Sequence, residues 1–591
     1  MKRAVLLLAA GLALLAPTAA WASPEAPFGH ACTAQNGVRF CPTASDDQRV
    51  PTFDGVPIDV DVTLPAEGTG PFPTIVMPHG FPGSKASWEA SSPEGPVADN
   101  RSLYHWNNVF YAQQGYAVVN YSARGFGRSC GVADSRTAPA CDRGWFHTIA
   151  DQRWEVHDAQ HLLGLLVDEG VADPARLGAT GISMGGGTTM ELAWLKDRVR
   201  NVDGSFSPWT SPGGKPLSLA AANPKWGWSD LVNALVPNGR ALDDRVFSKP
   251  ETVSPFGVAL SSTLNALAAG GSLGFIPPKG ADPTADILSW TELVNAGEPY
   301  PASATDILEQ LTTFKSVNGL AGGTTVPLLI QNGWTDPVFP PIEGIRAYNR
   351  LRKSSAAADV ALQFGDIGHF TGGNGLAQNL RFNDDAAAFF RGRLQGTAAA
   401  GGPAPGSVTT FLQGCPKGAA GSSAIVASSY AKLTRKAFAL GGRGGTVRST
   451  GGSDVSAQLA DPLQNADRCK IGKPGSAKGT VVLTAPARGV TMLGLPEIRA
   501  TVRTSGKYGQ LDALLWEVTK KGQRLVDYGV YRLKANQRGR VRFQLHGNGY
   551  RFGKRSTIKL ELRGRTPNLY RPSNGKFSVA VSDLSATLPV R

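Results

Sequence analysis

Residues 176–187 read RLGATGISMGGG, a strand-like run that ends in a cluster of glycines around Ser183. A helical pattern follows, so the stretch predicts a strand, a tight turn and a helix. A serine at the centre of a G-x-S-x-G turn sits on strained backbone, and its neighbours must therefore lack bulk. The helix N-terminus would bring backbone N–H groups beside the serine. The stretch indicates a nucleophilic Ser183; the alternative is a glycine-rich turn with an incidental serine.

Apolar runs on both sides of this stretch predict a parallel sheet covered by helices. Residues 58–64 alternate apolar with polar side chains, which predicts a half-buried strand. Residues 72–77 and 116–121 are short apolar runs that end in glycine-containing loops. Further strands are predicted at 326–331 and 360–364, and helices at roughly 151–169 and 185–199.

The pattern changes twice along the chain. A long aromatic stretch rich in Pro and Gly interrupts the α/β pattern and predicts a helical cap over a cleft. After a Gly/Ala/Pro-rich segment, short alternating strands predict an all-β jelly roll or sandwich. The predicted division is a signal peptide at 1–22, an α/β core at 23–204 and 321–395, a helical cap at 205–320, a linker at 396–407 and a β jelly-roll domain at 408–591.

The net charge of +14 is distributed unevenly. Residues 1–399 hold 29 Lys and Arg against 37 Asp and Glu, whereas residues 400–591 hold 31 against 9. The acidic body therefore carries a basic C-terminal third. We expect no nucleic-acid partner, because the chain has no nucleic-acid motif. Two interpretations of the basic face stay open: contact with an anionic cell surface, or a solvated surface without a partner.

The N-terminus predicts export. Met1-Lys2-Arg3 precedes an apolar run, and Ala20-Trp21-Ala22 matches a cleavage site, so we expect a signal peptide cut after Ala22; a retained anchor is the alternative. No other run is long enough to span a bilayer, and we expect no transmembrane segment in the secreted protein.

The cysteine count is even, which favours disulfides in an exported chain. Proximity in sequence suggests the pairs Cys32–Cys41, Cys130–Cys141 and Cys415–Cys469, out of fifteen connectivities. No Cys or His cluster has the spacing of a zinc site, and we expect neither a metal nor another cofactor.

A serine nucleophile needs a base and an orienting acid, which follow it in the order acid, then His, in α/β-hydrolases. Asp336 and His369 lie just past the predicted strands 326–331 and 360–364, at the strand ends where an open α/β sheet builds its site. Asp366 is the rival acid, but it lies close to His369 in the same loop.

The loop after strand 72–77 is where the second oxyanion donor is expected. We expect the backbone N–H groups of Met184 and of Phe81 or Gly80 to face the developing oxyanion. His79 is interpreted as structural rather than as a base.

The chain resembles a known family. The serine turn, the run Arg124-Gly125-Phe126-Gly127-Arg128-Ser129 with Gly131, a helix carrying Glu155 and Asp158, the mid-chain cap and the C-terminal β domain occur together. This combination resembles the Xaa-Pro dipeptidyl-peptidase and cocaine-esterase-like (CocE/NonD, peptidase family S15) serine hydrolases. The resemblance implies an α/β-hydrolase core, a helical cap, a jelly-roll domain and a triad of Ser183, Asp336 and His369.

Two positions depart from that family's pattern. Residues 77–81 contain no Tyr for the oxyanion hole, and residues 121–125 lack the Asp of an Asp-x-Arg-Gly pattern. Both departures weaken a transfer of peptidase specificity more than a transfer of hydrolase chemistry.

The sequence therefore predicts a secreted serine hydrolase that cleaves an ester, an amide or an Xaa-Pro peptide bond. Cleavage of Xaa-Pro dipeptides would need an acidic group in the cap to hold the free amine, and four candidates are present: Asp230, Asp243, Asp244 and Glu251. The alternative is a non-catalytic binding protein on a hydrolase scaffold, which attaches to a surface through its β domain.

Overall fold

The computed structural model describes residues 25–96, 101–240, 242, 256–261, 263, 274–317, 320, 324–369, 372–397, 402–419, 422–452 and 467–591. The predicted signal peptide lies outside these residues, and so do Asp243, Asp244 and Glu251 of the predicted cap. Among the described helices, none combines the length and the apolar character that a membrane span requires.

A large mixed sheet organises the first two thirds of the chain. The described strands of this part of the chain are β1 (Thr33–Gln35), β2 (Val38–Cys41), β3 (Val50–Pro51), β4 (Pro57–Ile58), β5 (Val60–Pro65), β6 (Phe72–Val76), β7 (Ala117–Tyr121), β8 (Ala172–Ile182), β9 (Arg198–Arg200), β10 (Phe206–Pro208), β11 (Leu219–Lys225), β12 (Leu328–Gly333), β13 (Val360–Gly365), β14 (Val408–Thr410) and β15 (Ile425–Ala427). Eleven of them form the large sheet, in the order β1-β2-β5-β7-β6-β8-β11-β12-β13-β14-β15. Along that order, the neighbouring strands from β7 to β14 are parallel.

Helices cover the sheet and fill the segment between β11 and β12. They are α1 (Asn108–Gln113), α2 (Glu155–Asp168), α3 (Met184–Leu195), α4 (Leu231–Leu235), α5 (Ile287–Ala296), α6 (Ser303–Phe314), α7 (Ile342–Ser354) and α8 (Leu376–Leu394). The predicted helices at 151–169 and 185–199 correspond to α2 and α3. Both helices bury apolar faces against the strands, which closes the main core.

The strand predicted at 58–64 is buried on both faces rather than half-buried. Asp59, Asp61 and Thr63 are as enclosed as the valines between them. Lys85 explains the burial of the two carboxylates, because its Nζ lies 2.7 Å from Asp59 Oδ1 and 2.6 Å from Asp61 Oδ1. The pairing partner stands more than twenty residues away, so alternation alone could not show it.

The predicted cap boundary at 205 is too early. Strand β11 falls inside the range 205–320, yet it lies between β8 and β12 in the large sheet. The helical insert, defined here as the residues between β11 and β12, therefore starts after Lys225. Its described helices α4, α5 and α6 share one apolar cluster with Trp228 and Phe339.

The predicted start of the β domain at 408 is also too early. Strand β14 pairs with β13, and β15 pairs with β14, so both extend the large sheet. Backbone groups at the edge of β13 would otherwise lack partners within the sheet. The separate C-terminal sandwich therefore begins with β16.

Two sheets form this C-terminal sandwich around a second apolar core. The first sheet has the order β23-β20-β26-β19-β24, with β16 and β17 also paired to β26, and the second has the order β18-β25-β21-β22. The strands are β16 (Lys436–Gly441), β17 (Gly445–Ser449), β18 (Val481–Pro486), β19 (Thr491–Gly494), β20 (Glu497–Ser505), β21 (Gly509–Thr519), β22 (Gly522–Leu533), β23 (Arg538–Gln544), β24 (Asn548–Arg551), β25 (Thr557–Arg563) and β26 (Phe577–Val590).

The three predicted disulfides are confirmed. Cys32–Cys41 links the residue just before β1 to the end of β2, and Cys130–Cys141 closes the loop after β7. Cys415–Cys469 spans 54 residues, from the connection between β14 and β15 to that between β17 and β18. No cysteine among the described residues is free.

Candidate active site

Ser183 occupies the turn between β8 and α3, with φ 61° and ψ −119°. This backbone conformation is strained for a residue with a side chain and is typical of a serine nucleophile. The flanking glycines are required by close approach. A Cβ on Gly181 would lie 2.5 Å from the backbone of Gly185, and a Cβ on Gly185 would lie 2.1 Å from the Pro78 carbonyl oxygen.

His369 follows β13 and joins Ser183 to Asp336. Its Nε2 lies 2.8 Å from Ser183 Oγ, and its Nδ1 lies 2.7 Å from Asp336 Oδ2. The Asp336 side chain is fully enclosed, whereas the His369 ring keeps 14 % of its surface exposed. The structure therefore brings together the three residues that sequence reasoning selected, in a hydrogen-bonded chain.

Backbone donors fix the carboxylate of Asp336. Oδ1 accepts the N–H groups of Val338 and Phe339 at 2.8 and 3.0 Å, and Oδ2 accepts the N–H of His369 at 3.1 Å. These three bonds set the orientation of the carboxylate. The imidazole Nδ1 then donates to an acceptor that is held in place.

Asp366 does not contact the His369 ring. Its Oδ1 accepts from Thr335 Oγ1 and from the N–H of Gly373, and its Oδ2 accepts from the N–H of Gly414. Burial raises the pKa of Asp366. The rival acid therefore ties together the loops around His369 and has no place in the hydrogen-bonded chain.

The loop after β6 crosses the N-terminus of α3. A Cβ on Gly80 would lie 3.5 Å from Ser183 Cβ, so this loop lies against Ser183. Within the described chain, the N–H groups of Gly80, Phe81 and Met184 do not donate to another protein group. The three donors predicted for an oxyanion hole thus lie on the two segments that meet at Ser183.

His79 joins this loop to the segment that follows β7. Its Nδ1 donates to the Gly80 carbonyl at 2.7 Å, and its Nε2 accepts the N–H of Ala123 at 2.9 Å. A single neutral tautomer makes both bonds. Burial lowers the pKa of His79 to about 4, which keeps the ring neutral. The structural role predicted for His79 agrees with these contacts.

The run at 124–129 supports the same loop through Phe126 and Arg124. Phe126 packs edge-on against the rings of His79 and Phe81, with centroids 5.3 and 5.6 Å apart. Arg124 is fully buried and donates two hydrogen bonds to Asp158 on α2 and two to Asp54. The run therefore anchors the loop after β6 to the core.

Asn374 is a site residue that sequence reasoning missed. Its Oδ1 accepts the N–H of Gly368 and its Nδ2 donates to the Gly368 carbonyl, both at 3.0 Å. The amide therefore clamps the residue just before His369. No motif or strand end marks Asn374, so only the fold shows this role.

An apolar cavity of about 80 Å³ lies beside the loop after β6. Phe81 and Phe146 line it from the core, and the helical insert contributes most of its other walls, among them Leu231, Phe256, Trp290, Ile307 and Leu311. Threonines 148 and 263 are the polar residues of this lining. Phe339 joins the same apolar region to the site, since its ring centroid lies 5.6 Å from that of His369.

The sequence matches a known protein family over part of its length. Residues 54–211 match the X-Pro dipeptidyl-peptidase family, S15. This chain is similar to the S15 hydrolases. The resemblance predicted from the sequence is therefore confirmed, and the match supports a hydrolase of esterase or peptidase type. No curated protein matches the sequence.

Solved structures extend the similarity of the S15-like chain to nearly its whole length. A CocE/NonD family hydrolase from Staphylococcus aureus is 13% identical with a TM-score of 0.57, covering 94% of each chain. An α-amino acid ester hydrolase is 14% identical with a TM-score of 0.55, covering 95% of this chain and 98% of the other. An aminopeptidase from a Thaumarchaeota archaeon is 13% identical with a TM-score of 0.57, covering 95% and 98%. At these identities the likeness concerns the fold, which is that of an α/β-hydrolase with a β-rich C-terminal region.

Proposed function

We propose that the protein is a serine hydrolase with Ser183 as nucleophile, His369 as general base and Asp336 as the orienting acid. The observation that carries the proposal is the hydrogen-bonded chain from Ser183 Oγ through His369 to Asp336, at 2.8 and 2.7 Å. Ser183 Oγ attacks the substrate carbonyl while its proton passes to His369 Nε2. The imidazolium then gives that proton to the leaving alcohol or amine, and an acyl-enzyme remains.

The second half of the cycle uses the same groups. Water enters where the leaving group was, His369 removes a proton from it, and the resulting hydroxide attacks the acyl-enzyme carbonyl. The proton returns to Ser183 Oγ as the acid product forms. In both halves the N–H groups of Met184 and of Phe81 or Gly80 stabilise the oxyanion, each worth about 3 kcal/mol in such sites.

The apolar cavity supports a substrate class. Its described lining contains no carboxylate, so it offers no partner for a free α-amine. An uncharged acyl chain would instead bury apolar surface there, at about 25 cal/mol per Å². We therefore propose esters or amides of uncharged, apolar acyl groups as substrates, with the helical insert acting as the cap that closes over them.

Three disulfides support a site of action outside the reducing cytosol. We propose that the protein is secreted, as its N-terminal sequence also suggests.

A matched pair of substrates tests the proposed acyl specificity. The p-nitrophenyl esters of 3-phenylpropanoic acid and of phenylalanine differ by one α-amine. We expect kcat/KM to favour the ester without the amine by at least tenfold, because the amine finds no carboxylate in the cavity. A preference for the phenylalanine ester, or rapid cleavage of Ala-Pro-p-nitroanilide, would instead support an aminoacyl or dipeptidyl specificity. The Ser183→Ala variant measures the background for every substrate.

A further inference from the structure

We propose that one outer face of the C-terminal sandwich binds a linear polyanion, a base-free chain of polyol or sugar units joined by phosphodiesters. The face consists of outward side chains on β20 and β23 and is named the guanidinium face. Its residues are Arg499, Arg503, Arg538, Arg540 and Arg542, all exposed. This inference is independent of the chemistry at Ser183.

Sheet register places these arginines side by side. Strands β20 and β23 are antiparallel, with Arg499 opposite Arg542, Thr501 opposite Arg540, and Arg503 opposite Arg538. The alternate residues of both strands point inward and belong to the sandwich core. Along β23 a guanidinium therefore recurs about every 6.7 Å, and the two strands lie about 4.8 Å apart. The result is a double row of positive charge rather than a pocket for one ion.

The charge of this face is only partly neutralised. Glu497 pairs with Arg499 at 2.6 Å and also with Arg542. In the described parts of the chain, no carboxylate forms an ion pair with Arg503, Arg538 or Arg540. Like charges directly opposite each other destabilise a sheet. The pair Arg503/Arg538, which no described carboxylate bridges, thus carries a stability cost that a bound polyanion would relieve.

The chemistry of the face favours phosphate. A guanidinium presents paired N–H donors that match two oxygens of a phosphate, whereas a merely solvated basic surface has no need of arginine at all five positions. A repeat of several ångströms along β23 suits anionic groups separated by a short linker in a polymer.

The neighbouring strand argues against a nucleic acid. Strand β26 lies beside β20, and its outward residues next to the arginines are Ala580, Ser582, Ser585 and Thr587, with one exposed carboxylate, Asp583, in the bulge between Ser582 and Ser585. Binding of single-stranded nucleic acid commonly depends on aromatic side chains that stack on bases. The outward positions of β20, β23 and β26 contain no aromatic residue. A polymer without bases therefore fits the guanidinium face better than a nucleic acid does.

The test measures binding of the full-length protein to immobilised poly(glycerol phosphate) at 50, 100 and 200 mM NaCl. The face variant is Arg538→Gln/Arg540→Gln/Arg542→Gln. Its matched control, Lys520→Gln/Lys521→Gln/Lys554→Gln, removes the same charge from exposed positions in turns away from the face. We expect the face variant to bind at least tenfold more weakly at 100 mM. The slope of log K against log salt should become less negative by about 2, because each phosphate contact contributes about 0.7 to that slope and the variant loses three arginines. The control should stay within about twofold of the parent.

Equal loss in the two triple variants would overturn the proposal, because net charge alone would then explain binding. Poly(dT) with the same number of phosphates should bind more weakly than poly(glycerol phosphate); equal or tighter binding would overturn the base-free assignment.

Thermal unfolding of each variant verifies the fold. The single variant Arg540→Gln, opposite a threonine, provides the same comparison with an expected loss of about threefold if the triple variant is unstable.

Discussion

At the residue scale, the two candidate acids near His369 have separate tasks. Asp336 Oδ2 lies 2.7 Å from His369 Nδ1, whereas Asp366 accepts the N–H groups of Gly373 and Gly414 and so joins two loops. We expect Asp336→Asn to lower kcat by about 10³- to 10⁴-fold, because the amide would favour the wrong imidazole tautomer. Asp366→Asn should retain kcat within about tenfold while lowering the thermal midpoint. Steady-state kinetics on one ester together with thermal unfolding would check this, and the reverse ranking in kcat would contradict the assignment.

His79, which holds the loop after β6, makes the free energy of unfolding depend on pH. An unfolded histidine has a pKa of about 6.5, and burial lowers the pKa of His79 to about 4 in the folded protein. Between these values the unfolded chain binds a proton that the folded chain does not. The stabilisation is therefore complete above about pH 6.5 and is lost as the pH falls toward 4, a change of about 3 kcal/mol.

The variant His79→Gln isolates this contribution. We expect its unfolding free energy to fall less steeply between pH 6.5 and 4.5 than that of the parent, by about one bound proton. Urea unfolding at several pH values measures the slope. An unchanged slope would mean that His79 does not remain neutral on folding.

At the element scale, the turn between β8 and α3 depends on two close backbone approaches. We expect Gly185→Ala to lower stability by several kcal/mol and to abolish hydrolysis, because its Cβ would meet the Pro78 carbonyl at 2.1 Å. Gly392→Ala on α8 is the matched control, since nothing lies within 4 Å of its Cβ. That control should stabilise the protein by about 0.5–1 kcal/mol. Equal thermal midpoints for the two variants would contradict this account.

Sequence patterns located some elements and missed others for physical reasons. The serine turn was predictable because its glycines answer a local steric demand, and the triad followed from residues just beyond strong apolar strands. Strand β11 was not predicted because LAAANPK contains no β-branched residue and pairs through its backbone between β8 and β12. Strands β14 and β15 were not predicted because each has three residues, too few to show an alternation of apolar and polar side chains. Asn374 was missed because its partner is a backbone group in a folded loop.

At the scale of the whole molecule, Arg532 connects the sandwich to the helical insert. From β22 it donates to the carbonyls of Phe256 and Gly257 at 3.1 and 3.0 Å, and it pairs with Glu298. Burial alone would raise the pKa of Glu298, but Arg532 and Arg571 outweigh it and lower that pKa. Because Phe256 also lines the apolar cavity, this contact links the sandwich to the wall of that cavity.

We expect Arg532→Met to destabilise the protein by about 3–5 kcal/mol, since it leaves a buried carboxylate short of its partner. The double variant Arg532→Met/Glu298→Gln should recover part of that loss, and KM should rise in the single variant as the cavity wall loosens. Arg551→Met, at an exposed position of β24, is the control. Thermal unfolding and ester kinetics measure both effects. A single variant as stable as this control would contradict the coupling.

The fold places part of the positive charge of the chain on one surface. Sequence arithmetic assigned the positive excess to the last third, and strand register assigns part of it to one face formed by β20 and β23. Register could not be predicted from alternation alone, because alternation gives the side of a strand but not its neighbour. The catalytic assignment and the surface assignment therefore rest on separate parts of the molecule.

The central claim is that Ser183 is the nucleophile, and active-site labelling tests it most directly. A fluorophosphonate probe should form one covalent adduct, which peptide mass spectrometry should place on Ser183. Labelling should disappear in Ser183→Ala and become at least a hundredfold slower in His369→Ala, because the base no longer removes the hydroxyl proton. A Ser183→Ala variant that labels as fast as the parent, or an adduct on another residue, would contradict the account.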